Sequence, residues 1–308
     1  FVSKTKEGIF KDWAYGWGLS VYDYPMYYDE DSKLWEYVFV QPEFKDMIDF
    51  MKKLHDEGLL DPEFLTDTQA SWTAKMTQND KAFVTYDWTG RLDMFYNQVK
   101  DQIPDYDLRY ANPIGPVGKI RCLNKIQSWG IVVPKNKNYE IALKLLDYLT
   151  SPSGATLITV GIEGDHFYFD DNSKPVYPGL KDVDKIEITV LEKEYGCWLQ
   201  GMYLRTDPRS AYYNYTEKEQ EAQDMMVKNN KILDLDPMLK FTDTERASKA
   251  ELTEPLLKGG IEFCSKYVLG KSYGETEWND WLKKAESLQY KKLEQIYQES
   301  QKRYDSAN

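Results

Sequence analysis

Asp87 and Trp88 stand side by side directly after the apolar run Ala82-Phe83-Val84, where a core strand would normally end in turn formers. A carboxylate and an indole at a strand end are a pair with a definite chemistry. The flat apolar face of a Trp packs on the C–H face of a sugar ring, and a carboxylate accepts hydrogen bonds from the ring's hydroxyls. A second aromatic group lies upstream, where "KDWAYGWGLSVYDYPMYY" holds Trp13, Tyr15, Trp17, Tyr22, Tyr24, Tyr27 and Tyr28 with Gly16 and Gly18 between them. Rings in such number serve equally as core and rim packing, and both uses stay open on the residues alone.

Other chemistry is sparse. The two histidines, His55 and His166, fall on the polar side of a helix and in a hairpin, and no G-x-S-x-G, H-E-x-x-H or phosphate-binding loop occurs. The acidic turns "YYDEDSK" and "FDDNSK" resemble calcium loops only loosely: they lack the twelve-residue ligand spacing with its closing Glu, and both lie where a hairpin turn is expected. Cys122, Cys197 and Cys264 are far apart and odd in number, which supports neither a disulfide framework nor a zinc cluster. Neither a metal nor an organic cofactor is expected.

The elements that would carry these residues follow from periodicity. Residues 42 to 57 place Phe44, Met47, Ile48, Met51 and Leu54 on one helical face between Pro42 and Gly58. A second helix is expected over Asp67 to Gln78, with Ala70, Ala74 and Met76 inward and Trp72 near an edge. Lys81 to Tyr86 reads as a strand, and Gly90 to Val99 as a helix. Tyr106–Tyr110 and Ile126–Val133 read as strands joined by the Pro/Gly-rich "ANPIGPVGKIRCLNK". Beyond them come a helix over Tyr139 to Leu149, another opened by Ser151-Pro152, and a hairpin in "DHFYFDDNSKPVY". Helical periodicity then fills Thr216–Asn229, Thr242–Leu269 and Thr276–Arg303, with Pro255 expected to bend or interrupt the middle one.

At 308 residues with 42% hydrophobic and 29% charged residues, the composition is that of a globular chain of about two domains. A net charge of −12 with no Lys/Arg stripe opposes nucleic acid and anionic membranes as partners. No apolar stretch approaches a membrane span of roughly 20 residues.

Three stretches resemble bacterial extracellular solute-binding proteins of the carbohydrate ABC importers, the lipoprotein branch with a maltose-binding-protein-like fold. They are "QPEFKDMIDFMKKLHDEGLLDPEF", "SWGIVVPKNKNYEIALKLLDYLTSPSGATLITVGIEGDHFYFDDNSKPVY" and the ending from "FTDTERASKAELTEPLLKGGIEFCSKYVLGK" through "WNDWLKKAESLQYKKLEQIYQESQKRYD". The resemblance implies an α/β, two-lobed flytrap fold, truncated here and dominated by its C-terminal lobe. Residues 1–112 would form the first segment of that lobe, 113–165 the hinge crossing and a return to a remnant of the first lobe, and 166–308 an α-rich segment completing the second. The family's chain normally opens with a lipidated cysteine and most of the first lobe, to which nothing here corresponds.

Function follows by the same implication. The chain would be a non-enzymatic carbohydrate binder on the outside of a bacterial cell, delivering sugar to an ABC permease and touching the membrane only through a lipid anchor absent from this chain. In related sugar binders a Trp at this strand end supplies a stacking platform. Trp88, Trp17 and Trp13 would therefore stack on the ligand and Asp87 would accept its hydroxyls, with Trp198 as a further candidate. Two alternatives stay open: a glycoside hydrolase using the same aromatics with two carboxylates, and a peptide-binding or sensor protein on the same scaffold.

Overall fold

The computed structural model describes residues 1–21, 23–78, 80–120, 131–183, 186, 188–199, 204–213, 215–234, 236–271 and 273–307. Tyr22, Cys122 and most of the strand expected from Ile126 lie outside the described residues. Two compact units divide the chain: Phe1–Asn124 together with Met225–Asn308, and Lys125–Asp224.

The first unit opens with α1 (Gly8–Ala14), the hairpin β1 (Met26–Asp29) and β2 (Leu34–Tyr37), and α2 (Pro42–Asp56). The hairpin pairs antiparallel from Met26↔Tyr37 to Asp29↔Leu34. Its acidic turn is closed by Asp29, whose carboxylate accepts the Ser32 N–H at 2.9 Å. In α2, Pro42 sits at the first position, Phe44, Met47, Ile48 and Met51 are buried, and Gly58 follows in the left-handed region with φ +71°. Next come α3 (Gln69–Met76) and α4 (Arg91–Val99). Thr68 caps α3 by a reciprocal pair of bonds with Ser71.

The second unit holds α5 (Tyr139–Thr150), α6 (Pro152–Thr159), the short antiparallel hairpin of β3 (Tyr168–Phe169) and β4 (Pro175–Val176), α7 (Ile188–Tyr195) and α8 (Pro208–Tyr213). Ser151 Oγ accepts the Gly154 N–H at 3.1 Å, so the Ser-Pro start of α6 acts as read. Asp170 closes the second acidic turn by accepting the N–H groups of Asn172 at 2.9 Å and Lys174 at 2.8 Å. The helix α9 (Glu217–Lys228) spans the boundary and leads back to the first unit.

Three long helices complete the first unit: α10 (Asp243–Leu269), α11 (Glu275–Ser287) and α12 (Tyr290–Ala307). They cover the β1–β2 hairpin and α2, burying Trp35, Tyr37, Phe39, Leu256, Phe263, Trp281 and Tyr297 together. Each such side chain removed from water contributes roughly 1.5–3 kcal/mol. The polar handles of these rings are matched: Trp281 Nε1 donates to Phe39 O at 2.7 Å, Trp35 Nε1 to Gln301 Oε1 at 2.8 Å and Tyr37 Oη to Leu256 O at 2.8 Å. Gly260 explains one contact. A Cβ there would lie 2.5 Å from the Phe39 ring, so the glycine lets that ring press on the α10 backbone at a helix-propensity cost of about 1 kcal/mol.

Four expectations change. Helix α10 continues through Pro255, because Leu252 and Leu256 on either side are buried and hold the turn whose hydrogen bond proline cannot make. The single final helix is two, since Gln289 takes the left-handed region with φ +66°. In α3 the inward face carries Trp72 and Met76, whereas Ala70 and Ala74 are exposed: the indole has far more apolar area to remove from water than two methyl groups. The segments 81–86 and 106–110 have no ladder among the described residues. Thr85 makes only an isolated parallel bridge to Val2 among the described residues, and Tyr106 and Leu108 keep the two-residue alternation of a strand while packing on the cluster of Val2, Trp72, Met76 and Phe95. A strand exists only where a neighbour supplies its hydrogen bonds.

Candidate functional site

The chain around Trp88 is built on the small core of Val2, Trp72, Met76 and Phe95. Trp72 packs edge-on to Phe95 with centroids 5.0 Å apart, and its Nε1 donates to Thr85 Oγ1 at 2.9 Å. Thr85 donates its own hydroxyl to Val2 O at 3.0 Å, and Val2 donates its N–H to Val84 O at 3.0 Å. These bonds fix the segment that ends at Asp87.

Asp87 turns inward, its side chain only 4% exposed. Oδ1 accepts the Trp88 N–H at 2.7 Å and Arg91 Nε at 3.1 Å, while Oδ2 lies 2.6 Å from Lys4 Nζ. Both cations also lie over the Trp72 ring, Lys4 Nζ at 4.4 Å and Arg91 Cζ at 5.6 Å from its centroid. Asp87 thus ties the two cations together from beneath, and the Lys4 and Arg91 side chains are themselves partly exposed.

Trp88 faces the other way. Its carbonyl accepts the Arg91 N–H at 3.0 Å in the turn that opens α4, and its side chain is 63% exposed, with Phe83 and Val84 exposed nearby in sequence. The backbone is pinned on both sides of an indole whose face meets water. A stacking platform needs such an exposed indole, and a fixed backbone beneath it lowers the entropy lost when a ligand covers the ring.

The other candidates fall elsewhere. Trp13 and Trp17 stack at 6.4 Å with an interplanar angle of 8° inside the main core of the first unit, both buried, and Phe1 meets Trp13 edge-on at 4.8 Å. Trp13 presents no open face to a sugar, because Phe1, Trp17 and Phe50 surround it. Gly16 and Gly115 meet backbone to backbone beside this pair: a Cβ at Gly16 would lie 2.0 Å from Ile114 O, and Val117 and Gly118 both donate to Gly16 O. Trp198 is half-buried in the second unit, with Nε1 donating to Ser210 Oγ at 3.2 Å. His55 is half-buried on α2, and His166 stacks on Tyr195 at 4.4 Å while its Nδ1 accepts the Ile162 N–H.

Lys4, Arg91 and Trp72 surround Asp87 although none was singled out in the sequence. The Asp87/Arg91 spacing of i, i+4 across a helix start was a legible signal. Lys4 carried none, since only the folded chain brings it to Asp87.

No family model matches the chain. It is 24% identical over 278 residues to lipoprotein LipO of Bacillus subtilis strain 168, covering 85% of this chain and 52% of LipO. The alginate-binding protein AlgQ2, solved without calcium ion, superposes with a TM-score of 0.70 at 20% identity, covering 99% of this chain and 64% of that one. An EF-hand mutant of FusA, an ABC-transporter substrate-binding protein of S. pneumoniae in complex with fructo-nystose, superposes with a TM-score of 0.57 at 17% identity over 97% of this chain and 60% of that one. The chain therefore spans about half to two thirds of the length of the proteins it matches. Over the part that it covers, its fold is that of these binding proteins.

Proposed function

We propose that this chain is part of a carbohydrate-binding component of an ABC importer, a lipoprotein held outside a bacterial cell that captures a sugar or oligosaccharide and hands it to a membrane permease without chemical change. The fold supports the class, and the solved relatives named for alginate and fructo-nystose support a carbohydrate ligand. The observation that carries the reading in this chain is Trp88: a large indole residue, anchored through its backbone and 63% exposed.

In this reading Trp88 stacks on a sugar ring, and Lys4 and Arg91 donate to its hydroxyls or ring oxygen. Asp87 holds the two cations in place through Oδ1 to Arg91 and an ion pair from Oδ2 to Lys4, and Oδ2, which accepts no hydrogen bond within the chain, keeps the capacity to accept a hydroxyl that was expected of it. Trp17 and Trp13 support the scaffold from the core, and Trp198 is a candidate for a separate contact in the second unit. Titration of an oligosaccharide panel followed by Trp fluorescence and calorimetry tests this. Trp88→Ala should weaken the best ligand by roughly 1–3 kcal/mol, the order of one lost stacking ring. Unchanged affinity removes Trp88 from the site, and release of cleaved products replaces the importer reading with a hydrolase.

A further inference from the structure

The edge of β2 that faces away from β1 is covered by the side chains of a helix. Tyr37 donates its N–H to Glu294 Oε1 at 3.0 Å, and Gln298 Nε2 donates to Trp35 O at 2.9 Å. On α12 these two residues stand four apart, about 6 Å along the axis, and the two strand residues are about 6.6 Å apart, so the helix offers an acceptor and a donor at nearly the spacing of a neighbouring strand. Gln301 continues the row by accepting Trp35 Nε1 at 2.8 Å. A strand edge without such partners is open to pairing with another chain.

Gln298 and Gln301 hold the strand with neutral amides, whereas Glu294 holds it with a group that can change its charge. Burial first, and then the Glu36 carboxylate on β2, favour the protonated form of Glu294, while the Tyr37 N–H and Lys291 oppose it. Glu36 is kept in place by the Tyr27 hydroxyl, which donates to it at 2.8 Å. Lys291 is shared, because it pairs at 2.7 Å with Glu286 at the end of α11. Tyr290 stacks on Tyr37 at 5.6 Å, and α10 contributes the Leu256 carbonyl, which is taken by the Tyr37 hydroxyl. A charge on Glu294 thus stands among rings and opposite a second carboxylate, with its one nearby cation divided.

We infer that Glu294 is a proton-controlled latch: protonated, it keeps α12 closed over the β2 edge, and ionised, it lets residues 290–298 open locally, carrying its carboxylate into water and uncovering the Tyr37 N–H and the Trp35 carbonyl. The closed form binds the proton more tightly than the open one, so opening becomes easier as pH rises through about 7. Leu293 and Tyr297 are buried on the same segment, which keeps the open form a minor one that amide exchange can read. The latch lies on the β2 edge and stands apart from the sugar reading at Trp88.

Amide exchange followed by NMR at pH 6 and pH 8, corrected for the intrinsic rates, tests it. The Tyr37 amide should lose protection by about tenfold between the two, a figure reduced for the partial exposure of Glu294. Its exchange should be nearly independent of urea below the unfolding transition, as a local opening requires, while exchange of the Met47 and Ile48 amides in α2 should rise with urea. Glu294→Gln keeps an acceptor for the Tyr37 N–H and should abolish the pH response. Glu36→Gln, which keeps an acceptor for the Tyr27 hydroxyl, should lessen it. Equal protection of Tyr37 at both pH values, a urea dependence as steep as that of α2, or a Glu294→Gln variant with the parent's pH response would each overturn the inference.

Discussion

Lys4 and Asp87 meet at 2.6 Å, joining the N-terminal stretch to the residue that precedes the exposed indole. The contact matters because Asp87 also holds Arg91, so one inward carboxylate balances two cations lying over Trp72. Asp87→Asn keeps the shape and an acceptor for the Trp88 N–H while removing the charge. It should destabilise the first unit by about 1–3 kcal/mol, less than a fully buried pair would cost because both cations are partly in water. Urea unfolding checks this, and a change below about 0.5 kcal/mol would show that the network is not structural.

Trp88→Ala should behave in the opposite way. The side chain lies mostly in water, so its loss should change stability by no more than about 0.5 kcal/mol while binding suffers. A large drop in stability would place the indole in the packing and end its candidacy as a platform.

Glu294 on α12 accepts the Tyr37 N–H at 3.0 Å. Burial pushes its carboxyl up to about 7, with Glu36 adding to the rise and the Tyr37 N–H and Lys291 opposing it. The folded chain thus holds this proton more tightly than the unfolded chain does. Its contribution to stability is fully present below about pH 4.5 and is lost as pH rises through about 7. Glu294→Gln should remove that slope, making the variant more stable than the parent at pH 8 by about 1–2 kcal/mol, a figure reduced for partial exposure, and equal to it near pH 4.5. Parallel stability curves for parent and variant from pH 4.5 to 8 would contradict it.

Lys75 gathers Asp61 at 2.6 Å, Glu63 at 2.9 Å and Asp67 at 2.9 Å, tying α3 to the loop before it. Asp67 is almost wholly buried. Lys75→Met should cost about 2–4 kcal/mol, since it leaves a buried carboxylate without its cation. Thermal unfolding reads the loss, and adding Asp67→Asn should restore part of it. No recovery in the double variant would mean that the cost lies in packing.

Gly16→Ala should be among the most damaging single changes in the first unit, because the new methyl would strike the Ile114 carbonyl and force two backbone segments apart. A soluble variant with an unchanged melting temperature would show that this close approach can relax freely.

The parts legible in the sequence were those set by neighbours along the chain. The α2 face, the Ser151-Pro152 start of α6 and the two carboxylate-closed turns all follow from residues within a few positions of one another. The exposure of Trp88 was legible for the same reason, since a bulky ring after a carboxylate and just before a helix has little core to enter. What escaped depends on distance. Whether Trp72 or Ala70 faced inward was decided by Phe95 and Val2, and the fate of the expected strand at Lys81–Tyr86 by which neighbours lie beside it. The two upstream indoles could not be assigned to core or surface until Phe1 and Phe50 were seen around them.

Because the first unit is made from Phe1–Asn124 and Met225–Asn308, its two halves leave the ribosome far apart in time. Trp35, Tyr37 and Phe39 find their hydrogen-bond partners in Gln301, Leu256 and Trp281, all translated after the entire second unit. At roughly 5–20 residues per second the nascent hairpin and α2 must wait on the order of ten seconds or more with their aromatic faces uncovered. Aromatic surface left uncovered for that interval is open to non-native association, so the yield of folded chain should depend on the interval as well as on the stability of the finished molecule.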